Sequence, residues 1–131
     1  MRVKRLAWLG TRTARFVETR RFFRDVLGLP SDYEDADFVM FGLPSGDHDY
    51  VELIGPAAED SEFETAYYTT GPVVGLLVDD IVAARAELAA AGIELLGEIT
   101  WSDRTPGYGW FHFRAPDGNV YGMLQDAPVD G

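Results

Sequence analysis

The chain contains no cysteine, and this absence excludes several kinds of chemistry at once. None of its 131 residues can form a disulfide bond, act as a thiolate nucleophile or hold zinc through sulfur. Long apolar runs are also missing. The run from Leu6 to Leu9 is too short for a signal peptide, and no segment approaches the ~20 apolar residues of a membrane span. We therefore expect a soluble, cytoplasmic protein without a membrane partner.

Basic residues are scarce beyond the first 24 positions. The formal net charge is -11, from 22 acidic and 11 basic residues. Residues 1–24 hold eight basic residues and one acid, whereas the remaining 107 residues hold three basic and 21 acidic residues. Nucleic-acid-binding proteins usually present a basic surface, so we expect no nucleic-acid partner. Either the basic segment lies near acidic loops, or the acidic field attracts a cationic small molecule.

One short motif occurs twice. Residues 41–46 read Phe-Gly-Leu-Pro-Ser-Gly, and residues 113–118, 72 positions later, read Phe-Arg-Ala-Pro-Asp-Gly. Upstream, Gly28 and Gly92 form a second pair, 64 positions apart. Such a repeat indicates a chain built from two similar halves. A half of about 60 residues would be marginally stable alone, so the halves are expected to fold together as one domain.

Together with the repeat, hydrophobic periodicity and turn residues predict the order β-α-β-β-β for both halves, with one strand of the first half not marked by its own pattern. In the first half we predict a strand at 3–13, a helix at 16–27, an acidic loop from Asp32 to Asp37, and strands at 38–41 and 50–54. In the second half we predict a strand at 73–78, a helix at 81–91, strands at 93–99, 110–113 and 120–125, and a loop at 100–109. Module 1 then covers about residues 1–56, a linker about 57–71, and module 2 about 72–131.

Three segments resemble the vicinal oxygen chelate superfamily, which includes glyoxalase I, extradiol dioxygenases, fosfomycin- and bleomycin-resistance proteins and methylmalonyl-CoA epimerase. They are Phe-Phe-Arg-Asp-Val-Leu-Gly-Leu at 22–29, Val-Asp-Asp-Ile at 78–81 and Phe-Arg-Ala-Pro-Asp-Gly-Asn at 113–119, where Ala115 replaces the usual acid. The resemblance covers nearly the whole chain. It implies an α+β fold of two βαβββ modules that form curved mixed sheets around a shared cavity.

Metal-using members of this superfamily carry one ligand, usually His or Glu, on the first and last strands of each module. Carried over to this chain, the four positions are Trp8, Glu52, Val73 and Gly122. Only Glu52 can bind a hard cation, and a divalent ion requires several nitrogen or oxygen ligands. The resemblance therefore implies neither a metal nor another cofactor here. Without the metal, the Lewis acid of glyoxalase or dioxygenase chemistry is missing.

Strand alternation predicts which side chains line the cavity. They are Trp8, Arg12, Tyr50, Glu52 and Gly122, together with Gly75, and a glycine inside a strand often marks the close approach of a ligand. Two alternatives stay open. Trp8 either contacts a ligand or packs where a metal would lie, and Arg12 and Glu52 either contact a ligand or form a structural ion pair.

Two further groups are candidates for function. Trp101, Arg104, Tyr108 and Trp110 surround the longer loop of the second half and form either a lid, a satellite hydrophobic cluster or a dimer contact. His112 is either a general base, because histidine titrates near neutrality, or a packed or surface residue. The other histidine, His48, lies in a turn and is expected to be exposed.

Three hypotheses for function follow. The first is a homodimeric, metal-free protein that sequesters or carries an apolar or aromatic small-molecule ligand, which the acidic field would allow to be cationic. The second is an enzyme of the superfamily, a lyase, isomerase or dioxygenase-like protein, whose unorthodox or metal-independent site uses Glu52 or His112 as the catalytic residue. The third is a regulatory module that only contacts other macromolecules.

Overall fold

The computed structural model describes residues 1–44, 49–55 and 71–127. The linker predicted at 57–71 lies outside these ranges apart from its last residue, and so do the first-half turn at 45–46 and His48. Contacts divide the chain into two compact units. The first unit is Trp8–Val73, and the second unit is Met1–Ala7 together with Val74–Gly131. The first seven residues thus group with the second half, which a division into consecutive halves does not anticipate.

In the residues described, the first unit contains an α-helix, a π-helical turn and a four-stranded mixed sheet. Its elements are β1 (Arg5–Arg12, which begins in the second unit), α1 (Phe16–Arg21), a π-helical turn (Phe22–Val26), β2 (Ser31–Glu34), β3 (Phe38–Gly42) and β4 (Tyr50–Ile54). The strand order is β2-β3-β4-β1. β1 runs parallel to β4, whereas β2, β3 and β4 are antiparallel neighbours.

The second unit repeats this plan. Its elements are β5 (Val73–Val78), α2 (Ile81–Ala90), β6 (Glu94–Trp101), β7 (Gly109–Arg114) and β8 (Val120–Gln125). The strand order is β5-β8-β7-β6, with β5 parallel to β8 and the other pairs antiparallel. Each unit therefore has the order β-α-β-β-β and the same strand pairing, so the predicted repeat and the α+β class are confirmed.

Two predictions in the first half need correction. The loop predicted from Asp32 to Asp37 is wrong in its first residues, because Ser31–Glu34 forms β2. All four residues of β2 are exposed at the edge of the sheet, so no apolar alternation marks them in the sequence. The single helix predicted at 16–27 changes character at residue 22, where Leu27 N donates to Phe22 O at 3.0 Å with π-helical spacing.

Each helix packs against one face of the sheet in its own unit. In the first unit, Phe16 and Phe23 pack against the strand residues Val39, Phe41 and Leu53. In the second unit the corresponding cluster comprises Val78, Ile81, Ala84, Phe111, Phe113 and Met123. Because strand side chains alternate between faces, the residues between these positions point away from the helix. We call that opposite face of each sheet its site face.

The ends of α2 follow the predicted capping chemistry. The Asp80 carboxylate accepts a hydrogen bond from Ala83 N at 3.1 Å, which satisfies one of the free amides at the start of the helix. Gly92 follows the helix with φ of 80°, a backbone conformation that favours glycine. Within the described ranges, neither helix is long and apolar enough to cross a bilayer.

Candidate functional site

In each unit, the strand register forms a row of three paired residues on the site face, and the two rows are equivalent in the repeat. In the first unit Glu52 pairs with Gly10 on one side and with Met40 on the other. In the second unit Gly122 pairs with Gly75 and with His112. Directly paired residues project to the same side of a sheet. Glu52 and His112 therefore lie in equivalent rows of the repeat, but on different strands.

This relation was available in the sequence and was missed there. The motif at 41–46 recurs 72 positions later, and the same spacing relates Met40 to His112. Met40 is the strand neighbour of Glu52. Its equivalent in the second half, His112, is in the same way the strand neighbour of Gly122. His112 faces away from Phe111 and Phe113 in this register, since those two residues belong to the helix-side core.

Glu52 is a buried acid on the site face of the first unit. It lies near the middle of β4, and only 8% of its surface is exposed. Its strand neighbour Leu53 belongs to the cluster under α1, so the Glu52 side chain points away from that helix. A carboxylate accepts hydrogen bonds and attracts positive charge, so a ligand that carries positive charge or N–H donors has chemistry complementary to Glu52.

An aromatic pair lies next to this acid in the same unit. Trp8 of β1 and Tyr50 of β4 are directly paired in the register, two positions before Gly10 and Glu52. Their rings are nearly parallel, with an interplanar angle of 10° and a centroid separation of 6.3 Å. Trp8 is buried and Tyr50 is half-buried. The predicted pair of Trp8 and Tyr50 is thus brought together on the same face as Glu52.

Arg12 lies at the end of β1, where it pairs with Ile54 rather than with Glu52. The two-residue alternation of β1 still places it on the same face as Trp8 and Gly10. Arg12 is half-buried. Its pairing with Glu52, and its contact with a ligand, both stay predictions.

His112 is the buried titratable group of the second unit. It lies in β7 with 2% of its surface exposed. Burial disfavours the charged imidazolium and lowers the pKa of His112 to about 4. The imidazole is therefore neutral at pH 7, whereas the sequence-based argument for a general base assumed titration near neutrality. A base with this pKa provides little driving force for proton abstraction at pH 7, although a catalytic role stays a prediction.

The aromatic cluster predicted around the 102–108 loop is two separate arrangements. Tyr108 meets Trp110 edge to face, with ring centroids 5.9 Å apart. Trp101 instead lies over the backbone of Gly109, where a Cβ atom would come within 2.6 Å of its ring. Trp101 is 45% exposed, and Trp110 is half-buried on the site face beside His112. A lid function for this loop stays a prediction.

The four family metal positions do not fit a divalent ion. They hold an indole, a carboxylate, an isopropyl group and a hydrogen atom, at Trp8, Glu52, Val73 and Gly122. Across residues 1–44, 49–55 and 71–127, no three His, Cys, Asp or Glu side chains are grouped so that they could hold a metal. A single carboxylate is too small a ligand set for Mg²⁺, Mn²⁺ or Zn²⁺.

Comparison with protein families identifies the fold. The family described as the Glyoxalase/Bleomycin resistance protein/Dioxygenase superfamily matches residues 5–121. The chain belongs to this family, which is the one indicated by the three sequence segments. A search of curated proteins found no match.

Solved structures similar to this chain include members with named activities. The Mn(II)-bound glyoxalase from Novosphingobium aromaticivorans is 27% identical with a TM-score of 0.73, over 99% of this chain but 42% of that one. A superfamily member from Vibrio splendidus 12B01 is 26% identical with a TM-score of 0.65, covering 93% and 98%. Methylmalonyl-CoA epimerase from Mycobacterium tuberculosis is 19% identical with a TM-score of 0.71, covering 96% and 90%. The last shows likeness of fold alone.

Proposed function

We propose that the protein binds a small aromatic cation, without a metal ion, on the site face of the first unit. The observation that carries the proposal is the location of the buried Glu52 carboxylate next to the stacked Trp8 and Tyr50 rings. Sequestration or transport of such a ligand matches the resistance-protein branch of the family name.

The chemistry of these three side chains selects the ligand class. A carboxylate forms its strongest hydrogen bonds with charged N–H donors, and these bonds are about twice as strong as neutral ones. Tryptophan and tyrosine rings attract cations over their faces and stack against planar groups. The formal net charge of -11 adds a field that raises the local concentration of cations.

The donor set argues against a catalytic metal. Three of the four family ligand positions are occupied by Trp8, Val73 and Gly122, and none of these side chains offers an oxygen or an imidazole nitrogen. Titration of the protein with Mn²⁺, Ni²⁺ and Zn²⁺, followed by elemental analysis after desalting, should give less than one bound ion per chain. A stoichiometric ion that is lost in Glu52→Gln would contradict this part of the proposal.

Three planar probes of similar shape test the ligand class: benzamidinium, benzamide and benzoate. Calorimetric titration should give the order benzamidinium, benzamide, benzoate, from tightest to weakest. Glu52→Gln should weaken benzamidinium about tenfold or more and leave benzamide nearly unchanged, because a hydrogen bond to a charged group contributes about 1.5–3 kcal/mol. The matched control is Glu98→Gln, since the Glu98 side chain is 90% exposed. Equal affinities for the three probes, or no measurable binding, would contradict the proposal.

The alternative is an enzyme of the same family that uses Glu52 or His112. It is favoured by the buried carboxylate and by the glyoxalase and epimerase activities named for similar structures. Proton exchange at the carbon next to a carbonyl in methylmalonyl-CoA, followed by NMR in deuterium oxide, is the direct assay. Exchange that disappears in Glu52→Gln and persists in Glu98→Gln would support the enzyme. The homodimer is a separate proposal that sedimentation equilibrium tests.

A further inference from the structure

The 102–108 loop of the second unit is held by a network of its own hydrogen bonds. Ser102 N donates to Tyr108 O at 2.9 Å, and Tyr108 N donates to Thr105 O at 3.0 Å. The Ser102 hydroxyl oxygen accepts from Arg104 N at 3.2 Å and from Thr105 N at 3.1 Å. These bonds give the loop a defined shape, so that it can move as one body rather than residue by residue.

The two ends of this loop are fixed to each other. Trp101, the last residue of β6, pairs with Gly109, the first residue of β7. The Trp101 ring covers Gly109 so closely that a Cβ atom there would lie 2.6 Å from the ring. A side chain at position 109 would therefore displace the indole. The residues on either side of the loop are therefore held together.

The side-chain amide of Gln125, the last residue of β8, holds the carboxyl-terminal end of the loop. Its Nε2 donates to Gly107 O at 2.8 Å, while its Oε1 accepts from Ile81 N at 3.1 Å at the start of α2. Gly107 has a φ of 86°, which favours glycine and orients this carbonyl. Both bonds are partly buried. This position thus needs a donor toward Gly107 and an acceptor toward Ile81, and the amide of Gln125 provides both without a change of protonation.

We infer that Gln125 is a latch for the 102–108 loop and thereby a positioning residue for Tyr108 and Trp110. The Nε2 bond to Gly107 holds the residue before Tyr108 to the end of β8. Tyr108, the last residue of the loop, lies against Trp110 on the site face of the second unit. Breaking the latch should loosen residues 102–108 and reduce the cover that Tyr108 gives to Trp110, while the bond from Oε1 to α2 stays intact.

Glutamate at position 125 provides a reversible test, because its shape matches glutamine. In Gln125→Glu, a carboxylate at pH 7.5 still accepts from Ile81 N but repels Gly107 O. At pH 4, just below the ordinary glutamate pKa of about 4.3, the protonated carboxyl group is the main form and regains an O–H donor for that carbonyl. Gln125→Met removes both bonds at either pH, so it is the matched control for lost contacts. A purely structural contribution of residue 125 would not produce recovery at low pH in the glutamate variant alone.

The readout is the hydrogen-exchange protection of amides 102–108, measured relative to the parent protein at the same pH. We expect Gln125→Glu to lose amide protection about tenfold or more at pH 7.5, as the loss of a buried hydrogen bond predicts, and to regain part of it at pH 4. Gln125→Met should stay unprotected at both. In a Trp101→Phe background, acrylamide quenching should rise in parallel, since Trp8 is buried and Trp110 becomes more exposed. Unchanged protection in Gln125→Glu at pH 7.5, or equal behaviour of the two variants at both values, would overturn the latch.

Discussion

The row that holds Glu52 in the first unit and the row that holds His112 in the second unit are equivalent in the repeat but chemically unlike. The first contains glycine, glutamate and methionine, at Gly10, Glu52 and Met40. The second contains two glycines and a histidine, at Gly75, Gly122 and His112. Both polar side chains are buried, with 8% and 2% of their surfaces exposed.

Within one duplicated chain, the backbone plan varies less than the residues of the site face. Both units retain the same strand pairing and an apolar core beneath the helix. The polar residue of the site face lies on β4 in one unit and on β7 in the other. A fold of this kind accommodates different chemistry on the same scaffold.

The largest expected effect tests the equivalence of the two helix-side cores. Phe41 stacks on Phe23 and Phe113 stacks on Tyr121, both with centroids 5.8 Å apart. Phe41→Ala and Phe113→Ala should each lower the free energy of unfolding by about 3–5 kcal/mol, because each leaves a cavity under a helix. Urea unfolding measures both. The control is Phe22→Ala, since Phe22 is 48% exposed and its loss should cost about 1 kcal/mol or less.

A large difference between the stability losses of Phe41→Ala and Phe113→Ala would show that the two helix-side cores are not equivalent in packing. A cost below about 1 kcal/mol for either one would mean that its unit repacks around the lost ring. Similar losses of stability would support the interpretation that the two units differ in their site faces and not in their helix-side packing.

The second effect is a pH dependence that only the second unit should show. Folding lowers the pKa of His112 from 6.5 to about 4 through burial, so the unfolded chain binds more protons between these values. Stability contributed by the neutral imidazole is complete above pH 6.5 and is lost as pH falls toward 4. The total loss is about 3 kcal/mol, from the linkage of one titrating group.

Urea unfolding of the parent protein and of His112→Leu at several pH values isolates this contribution. Carboxylates titrate in both proteins, so the difference between the two curves reports His112. The control is His48→Gln, which removes the other histidine and should keep the parent slope. Parallel curves for the parent protein and His112→Leu between pH 6.5 and 4 would contradict the assignment.

Much of this molecule could be predicted from the sequence because its repeat is carried by backbone constraints. Gly92 ends α2 with positive φ, and Asp80 caps its start, and both follow from local chemistry. β2 could not be predicted, because an exposed edge strand needs no apolar face. Glu52, Trp8 and Tyr50 were predicted on one face by alternation alone.

Other features of the candidate site needed the folded structure. The lowered pKa of His112 depends on burial among residues that are distant in sequence. The Gln125 bonds to Gly107 and Ile81 likewise join positions 18 and 44 residues away. No local motif encodes such contacts, because they depend on which distant segments lie next to the end of β8 in the folded protein.

The last prediction concerns the pKa of a histidine introduced into the row that holds Glu52. Met40 pairs directly with Glu52, so Met40→His places an imidazole beside a carboxylate, on Cβ atoms that are about 5 Å apart in facing residues. An opposite charge at this distance favours the imidazolium and should raise its pKa by about 1 unit above 6.5. His112, in the equivalent row beside glycine, has a pKa of about 4.

NMR titration of both imidazoles in a His48→Gln background therefore compares the two rows directly. Adding Glu52→Gln should return the new pKa to 6.5 or below while leaving His112 unchanged. Two imidazoles with equally low pKa values would show that burial, rather than the Glu52 carboxylate, dominates both rows.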